Sequence, residues 1–422
     1  MPHRSTLQRS IVNLCLTVVM LAAGPVQAEN WPGWRGPRGD GTSDEQNVPT
    51  HWDGTTGQNI AWKVEVPGTG HASPVVWDDR IFLASCLEDE HDRILVCLDR
   101  RTGSTLWRTS VLQSPLEKKH HLNSYASSTP ATDGRQIYVT FLEAGQAGAA
   151  QGARMAVAAY DFEGNQRWLV RPGPFSSVHG YCSCPVLFED KVIVNGDHDG
   201  EAYLVALDRA TGKTLWKVPR ENKTRSYSTP IIRTIDGRCQ MILSGSKSVA
   251  SYDPHDGSRH WIIDGPTEQF VASVVYNDGL VFLTAGFPEH HILAIRPDGH
   301  GNVTDTHIAW RTTENTSYVP SPIAVGDYFL VVSDEGIGSC YRSYGQRVWK
   351  KRLGPHFSAS LTAAAGLVYF LSDEGVTTIV RPDDQYQQVA KNVLGEACYA
   401  SPAISQGQFF LRGEKHLYAV GK

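Results

Sequence analysis

Histidines and aromatic residues of this 422-residue chain recur at one place in a repeating pattern, shortly before eight segments that each begin a new apolar run. Imidazole, phenol and phenyl groups that meet on a concave surface suit a flat ligand or a peptide. The candidates for such a site are His71, Tyr125, His179, Tyr181, Tyr227, Phe270, Tyr318, His356 and Tyr399. The alternative is that they plug an entrance as ordinary core and rim residues. The elements that position them decide between the two.

A second group of residues combines carboxylates with an imidazole, in the segment Asp197-His198-Asp199-Gly200. These are metal-ligand types. Related segments, 333–336 and 372–375, also carry Asp and end in Gly between two predicted strands. Asp and Gly between strands are typical of a hairpin turn, because Gly tolerates positive φ. We therefore predict turns and no metal site.

Two histidine pairs, His120-His121 and His290-His291, are weak metal candidates. Neighbouring side chains on an extended chain point in opposite directions. The sequence has no Cys-x-x-Cys-His phrase, no Gly-rich phosphate loop and no Gly-x-Ser-x-Gly elbow. We predict no catalytic residue from these patterns.

A short phrase that ends in tryptophan recurs along the chain, as in Leu207-Asp208-Arg209-Ala210-Thr211-Gly212-Lys213-Thr214-Leu215-Trp216. Its seven copies end at Trp62, Trp107, Trp168, Trp216, Trp261, Trp310 and Trp349. In five copies a glycine lies four residues before the tryptophan, at positions 103, 164, 212, 257 and 345. Such a period indicates an array of similar units, so we predict a structural role for these tryptophans.

Eight unit starts, 39 to 56 residues apart, lie at Ser73, Thr129, Cys184, Thr229, Ser273, Ser321, Ser360 and Ser401. Each is followed by short runs of β-branched and aromatic residues bounded by Gly and Asp, which are strand signals. Four strands per unit predict an all-β fold, a single eight-bladed β-propeller with four-stranded antiparallel blades. The last unit lacks a tryptophan phrase and the first phrase precedes the first start. We therefore expect the N-terminal strand to complete the last blade, which protects the free edges there. In such a ring the candidate aromatics would crowd one mouth of the central channel.

The N-terminus has the pattern of a secretory signal peptide, with Arg4 and Arg9 before an apolar run from Ile11 to Gly24 and small residues near Ala28. We predict a signal peptide at 1–28, a Pro/Gly-rich leader at 29–58 that lies across the ring, and the propeller at 59–422. The net charge of −5 becomes −7 after cleavage. A mildly acidic chain without a basic run is a poor match for nucleic acid.

The predicted mature chain holds seven cysteines, an odd number. Folding the predicted hairpin about residues 89 and 90 places Cys86 opposite Arg93, so Cys86 and Cys97 do not face each other. Cys182 and Cys184 would form a small strained ring if bonded, whereas two thiols on one face of a buried strand satisfy ordinary geometry.

The phrase that ends at Trp216 resembles the tryptophan-docking repeat of quinoprotein-type propellers. This group includes pyrroloquinoline-quinone (PQQ) alcohol dehydrogenases and outer-membrane assembly lipoproteins of the BamB type. The leader segment 31–37, Trp-Pro-Gly-Trp-Arg-Gly-Pro, is similar to that of secreted bacterial PQQ-repeat proteins. The resemblance implies PQQ and calcium as possible cofactors. The dehydrogenases carry a calcium-binding set, a catalytic Asp and an adjacent Cys-Cys ring, whereas this chain has Cys182-x-Cys184 and no calcium set that we can match.

We therefore expect an exported, non-catalytic binding scaffold in the periplasm or outside the cell. It would be a monomer without a membrane-spanning segment after signal cleavage, and it would present a channel mouth to an envelope protein or a small molecule. The alternative is a PQQ- and calcium-dependent alcohol or sugar dehydrogenase, in which the cofactor would carry the redox chemistry and a carboxylate base would take the substrate proton.

Overall fold

The structure is a computed structural model that describes Met1, residues 29–149 and residues 151–421. Eight separate sheets surround a central channel, which confirms the predicted eight-bladed propeller with antiparallel blades. The predicted signal peptide lies outside the described residues. In the described part of the chain, no helix is long and apolar enough to cross a membrane. A short 3₁₀ turn, Gln146–Gly148, is the one helical element there.

The first four blades each run from an inner strand next to the channel to an outer strand. Blade 1 holds β2 (Val75–Trp77), β3 (Arg80–Leu87), β4 (Asp92–Asp99) and β5 (Thr105–Gln113). Blade 2 holds β6 (Ala131–Thr132), β7 (Gln136–Glu143), β8 (Arg154–Asp161) and β9 (Gln166–Pro174). Blade 3 holds β10 (Val186–Phe188), β11 (Lys191–Gly196), β12 (Tyr203–Asp208) and β13 (Thr214–Pro219). Blade 4 holds β14 (Ile231–Ile235), β15 (Arg238–Gly245), β16 (Ser248–Tyr252) and β17 (Arg259–Asp264), with β21 (Gly301–Asn302) added in parallel at its outer edge.

The other four blades repeat this arrangement. Blade 5 holds β18 (Val275–Asn277), β19 (Leu280–Ala285), β20 (His291–Ile295) and β22 (Ile308–Thr312). Blade 6 holds β23 (Ile323–Val325), β24 (Tyr328–Val332), β25 (Ile337–Arg342) and β26 (Arg347–Arg352). Blade 7 holds β27 (Thr362–Ala364), β28 (Leu367–Leu371), β29 (Val376–Arg381) and β30 (Gln387–Val393). Blade 8 holds β31 (Ala403–Ser405), β32 (Gln408–Arg412), β33 (His416–Val420) and β1 (Ile60–Glu65).

The eighth blade joins the two ends of the described chain. β1 pairs antiparallel with β33, and the register runs from Ile60 opposite Val420 to Glu65 opposite His416. The predicted closure by the N-terminal strand is therefore confirmed. It leaves no unpaired sheet edge facing the seam between blades 8 and 1.

The tryptophan phrase connects each blade to the next one. Its Asp caps the turn before the glycine: Asp99 Oδ1 accepts the backbone N–H groups of Arg101 and Thr102 at 3.0 and 2.9 Å. The Trp62 indole donates to the Arg100 carbonyl at 2.9 Å and packs on Gly103, where a Cβ would lie 2.7 Å from the ring. Glycine at this position, with φ of +73°, therefore suits both the turn and the indole.

The same donation from an indole Nε1 to a backbone carbonyl of the following blade occurs at all seven tryptophans. The acceptors of Trp62, Trp107, Trp168, Trp216, Trp261, Trp310 and Trp349 are Arg100, Phe162, Arg209, Pro254, Pro297, Ser343 and Asp383, respectively. An indole that satisfies its N–H while it buries its ring is stable between two sheets.

The seventh blade has Ala390 where the other blades carry this tryptophan, because Ala390 pairs with Ile379 next to the usual bulge. Trp52 of the leader lies there instead. Its backbone N–H donates to Asn392 Oδ1 at 3.1 Å, and its ring lies 5.9 Å from that of Phe409 in blade 8. With 4% of its surface exposed, Trp52 fills the space between blades 7 and 8.

The leader contacts inner strands around the ring. Trp31 exchanges two backbone hydrogen bonds with Val76 of blade 1 at 2.8 and 2.9 Å. Arg35 Nη2 donates to the Pro322 carbonyl beside blade 6 at 2.6 Å, and Ser43 bonds blade 7. The leader thus covers one end of the channel and leaves the other end to the segments that precede the inner strands.

Candidate ligand site in the channel mouth

A belt of small polar side chains surrounds the channel. The eight unit starts are its members: in seven of them, from Ser73 to Ser360, the backbone N–H donates to the side chain of the corresponding residue in the next blade. The bonds run Ser73 to Thr129, Thr129 to Cys184, Cys184 to Thr229, Thr229 to Ser273, Ser273 to Ser321, Ser321 to Ser360 and Ser360 to Ser401, at 2.9 to 3.4 Å. Short hydroxyl side chains suit this position because they accept a backbone bond without filling the channel.

The belt is incomplete at the seam. Seven bonds connect the eight members, and the buried Ser73 Oγ has no hydrogen-bond partner in the described structure. The interruption lies between Ser401 and Ser73, where blade 8 meets blade 1.

Above the belt, on the side away from the leader, lies a cavity of about 480 Å³, which is in the size range of small-molecule sites. Six belt members form its floor together with Trp34 of the leader. The Trp34 indole donates to the Ser273 hydroxyl at 3.2 Å. The leader therefore contributes one side chain to a cavity that opens on the opposite face.

The residue two positions before each belt member forms the wall of this cavity. These eight wall residues are His71, Ser127, Cys182, Tyr227, Val271, Val319, Ser358 and Tyr399. On an extended chain, residues two apart point to the same side, so each wall residue faces the channel like the belt residue that follows it.

Five of the nine candidate ligand-binding residues line the cavity: His71, His179, Tyr227, Tyr318 and Tyr399. The other four do not. Tyr125 is half-buried beside Lys119, whose Nζ lies 5.0 Å from its ring. Tyr181 is buried against Phe175 at a centroid distance of 4.9 Å, and His356 is exposed. Phe270 is fully buried, and its carbonyl accepts the Tyr227 N–H.

His71 and Tyr399 meet on one side of the wall, with ring centroids 4.8 Å apart. Burial lowers the pKa of His71 to about 4, and the positive charges of Arg412 and Lys119 act in the same direction. At neutral pH this imidazole is therefore uncharged and can accept or donate one hydrogen bond.

The opposite side of the rim carries His179 and Arg225. The Arg225 guanidinium donates to both oxygens of Asp199 at 2.8 and 2.9 Å and to His179 Nδ1 at 3.3 Å. The ring of His120 lies 5.4 Å from that of His179. Burial and neighbouring positive charge lower the pKa of both histidines.

Two aspartates that sequence reasoning assigned only to turns also hold the wall. Asp334 accepts the backbone N–H groups of Tyr318 and Val319 at 2.7 and 3.0 Å. Asp373 accepts that of Ser358 at 2.7 Å. Burial raises the pKa of both carboxyl groups. The signal for this role is the shared Ser-Asp-Glu-Gly sequence at 333–336 and 372–375, which recurs at the same turn of two blades.

The Asp197-His198-Asp199-Gly200 segment joins β11 to β12, as predicted. Asp197 is buried and forms an ion pair with Arg220, which donates to Asp197 Oδ1 at 2.9 Å. The Arg220 guanidinium also donates to Tyr252 of blade 4. Among the described residues, no group of three or more His, Cys, Asp or Glu side chains could hold a metal ion.

The cysteines of the described chain are seven unpaired thiols. Cys182 and Cys184 both line the cavity, and burial raises the pKa of each thiol. Cys86 lies opposite Arg93, which confirms the predicted register of that hairpin.

Comparison with known sequences gives one family. The model of the family described as outer membrane protein assembly factor BamB matches residues 42–145 and 90–351, together well over half of the chain. The chain belongs to this family. No curated protein sequence matches it.

Solved structures agree with BamB-family membership at the level of the fold. BamB from Moraxella catarrhalis is 13% identical, with a TM-score of 0.59, over 86% of this chain and 97% of that one. A europium-containing methanol dehydrogenase is 12% identical, with a TM-score of 0.54, over 91% and 89%. A computationally designed protein, Ika8, is 11% identical, with a TM-score of 0.58, over 86% and 99%. At these identities the likeness establishes the propeller fold and nothing about activity.

The donor set of this BamB-family cavity does not fit a calcium-dependent quinone. Its described lining residues include hydroxyls, imidazoles, an amide pair and one guanidinium but no carboxylate. Calcium is held by several oxygen ligands, carboxylates prominent among them. Asp334 and Asp373 lie behind the wall, where backbone N–H groups occupy their oxygens. We therefore derive no dehydrogenase step from these residues.

Proposed function

We propose that this protein is an exported, non-catalytic binding scaffold whose ligand site is the cavity at the uncovered channel mouth. One observation carries the proposal: a preformed cavity of about 480 Å³ whose wall is built from one repeated position in every blade and whose floor is built from six of the eight belt residues. Because each belt residue is fixed by a bond to its neighbour, the floor is rigid before a ligand arrives. A preorganised site loses little conformational entropy on binding.

The mouth of the cavity suits a ligand with an apolar body. Leu122 and Phe287 line it and expose 42% and 52% of their surface. Exposed apolar side chains around a concave opening are typical of binding sites. Burial raises the pKa of the Cys182 thiol, which disfavours the reactive thiolate.

The test fills the cavity by substitution. Val271→Trp places an indole at a wall position, whereas Val178→Trp adds the same side chain outside the lining. Ligands or partners retained from envelope extracts by the mature protein should be lost with Val271→Trp and kept with Val178→Trp. Equal retention by both variants would place the site elsewhere.

The dehydrogenase alternative is tested separately. PQQ and calcium are added to the purified protein, and dye reduction is measured with a panel of alcohols and sugars. We expect no reduction and no rise in melting temperature. Turnover that Val271→Trp abolishes would replace the scaffold proposal.

A further inference from the structure

The cavity floor contains hydrogen-bond donors that lack acceptors. Thr229, Ser273, Ser321, Ser360 and Ser401 each accept a backbone N–H, but none donates its own hydroxyl hydrogen to any described residue. All five are at most 5% exposed and line the cavity. Buried polar groups are rarely left without partners, because desolvation without a bond costs free energy.

Two buried arginines near the channel also lack carboxylate partners. Arg35 donates only to carbonyl groups, and its Nε and Nη1 have no partner. Arg412 donates to the carbonyls of Ala72 and Ala84 and to the hydroxyl of Ser85. Both guanidinium groups are at most 2% exposed. A buried charge without an opposite charge is strongly destabilising.

Other buried arginines of this chain are neutralised. Arg93 pairs with Glu117, and Arg220 pairs with Asp197. A buried arginine without an ion pair is therefore not a general feature of this fold. Arg35 and Arg412 instead bond only neutral groups, and the nearby charge of Asp40 acts on Arg35.

Both guanidinium groups bond the backbone next to residues that line the cavity. Arg35 follows Trp34, which lines the floor, and donates to the carbonyls of Pro322 and Leu361, the residues directly after two belt members. Arg412 contacts the backbone of Ala72, directly after the wall residue His71. A positive charge held there favours an anion in the cavity, because buried surroundings screen charge weakly.

Above the floor, the cavity lining includes three aromatic residues, Tyr227, Tyr318 and Tyr399, and the apolar residues Val271 and Val319. We propose that the cavity takes an organic anion with a flat apolar body, which lies between these side chains and directs a carboxylate onto the hydroxyl floor. A carboxylate has no hydrogen to donate and several lone pairs to accept, which matches a floor of unpaired donors. The inference rests on the proposed ligand site and adds the chemical class of the ligand.

The test compares two probes of the same shape with different head groups, the anionic 2-naphthoate and the neutral 2-naphthamide, by calorimetry with the full mature protein. We expect the carboxylate to bind at least about tenfold more tightly, about 1.4 kcal/mol. The Ser321→Ala/Ser360→Ala double variant should remove this preference. Ser73→Ala is the control, because its hydroxyl belongs to the belt but does not line the cavity.

Equal affinity for the two probes would overturn the anion inference and leave the proposed cavity site intact. Absence of binding by naphthoate, benzoate and inorganic phosphate would also overturn it, while retention by Val178→Trp and loss by Val271→Trp would still support the scaffold.

A second measurement covers variants that fail to fold. A crystal of the unaltered protein soaked with a bromobenzoate shows the bromine by anomalous scattering. The carboxylate should lie within hydrogen-bond distance of the Ser321 and Ser360 hydroxyls. A bromobenzoate seated only on the outer surface would refute the assignment.

Discussion

The indole of Trp168 in blade 2 lies flat against Gly212 in blade 3, so that a Cβ on Gly212 would lie 2.8 Å from two ring carbons. The Trp168 Nε1 donates to the Arg209 carbonyl at 3.1 Å. The tryptophan and the glycine therefore work as one unit, although they are 44 residues apart in the printed sequence.

Replacement of Gly212 by Ala should destabilise the protein by about 3 kcal/mol, because the methyl group adds overpacking to the cost of a positive φ. Gly279→Ala is the matched control: φ is +74° against +73°, and nothing lies within 4 Å of its Cβ position. That variant should lose about 1 kcal/mol. The midpoints of urea unfolding report both values, and equal losses would contradict a role for the indole contact.

Trp52→Ala should cost about 4 kcal/mol, because it leaves a cavity between blades 7 and 8 where no other tryptophan is present. Tyr344→Ala, which removes an aromatic that is 66% exposed, should cost little. Thermal unfolding distinguishes the two. A small shift for Trp52→Ala would mean that the leader adds no packing to the ring.

The buried pair of Asp197 and Arg220 should be sensitive to a neutral replacement. Asp197→Asn leaves the guanidinium without an opposite charge and should destabilise by about 3 to 5 kcal/mol. Glu201→Gln breaks the exposed pair with Lys223 in the same blade and should change the stability little, because solvent screens this pair. Chemical denaturation at neutral pH gives both numbers, and comparable losses would contradict the importance of burial.

Stability should fall in mild acid because of His71. Its pKa is about 4 in the folded protein and about 6.5 in an unfolded chain, so the unfolded state takes up more protons between these values. This contribution is fully present above about pH 6.5 and decreases towards pH 4, reaching a loss of about 2 kcal/mol near pH 4.5.

His71→Gln should remove that part of the pH dependence, as measured by urea unfolding near pH 7.5 and pH 4.5. His121→Gln, which removes an exposed imidazole, is the control. A slope that His71→Gln leaves unchanged would show that another group titrates instead.

The repeated Trp and Gly positions predict the blades because each residue has a local reason for its type. The Asp capping bonds and the register of Cys86 opposite Arg93 follow from the same local rules. The seventh blade departs from them, because Ala390 occupies the tryptophan position. Trp52 could not be predicted there, since its contact depends on the path of the leader.

The cavity could be predicted in part. Counting back two residues from each unit start gives all eight wall positions. Three of them, Ser127, Val271 and Ser358, are neither aromatic nor histidine and so were not among the candidates. Selection by aromatic or histidine character instead included Tyr181 and His356, three and four residues before their starts. The hydrogen bonds of the belt could not be predicted from the sequence, because each joins residues of different blades.

The pairing of Ile60 with Val420 joins the earliest and latest parts of the ring to be synthesised. At a translation rate of about 5 to 20 residues per second, the first strand waits roughly 20 to 70 s for its partner. During that interval the nascent chain forms an open arc of blades, in which the first and the last blade each lack a neighbour on one side. A premature stop codon before β33 would therefore remove the strand that pairs with β1 and closes the ring. We expect such products to be degraded or to aggregate.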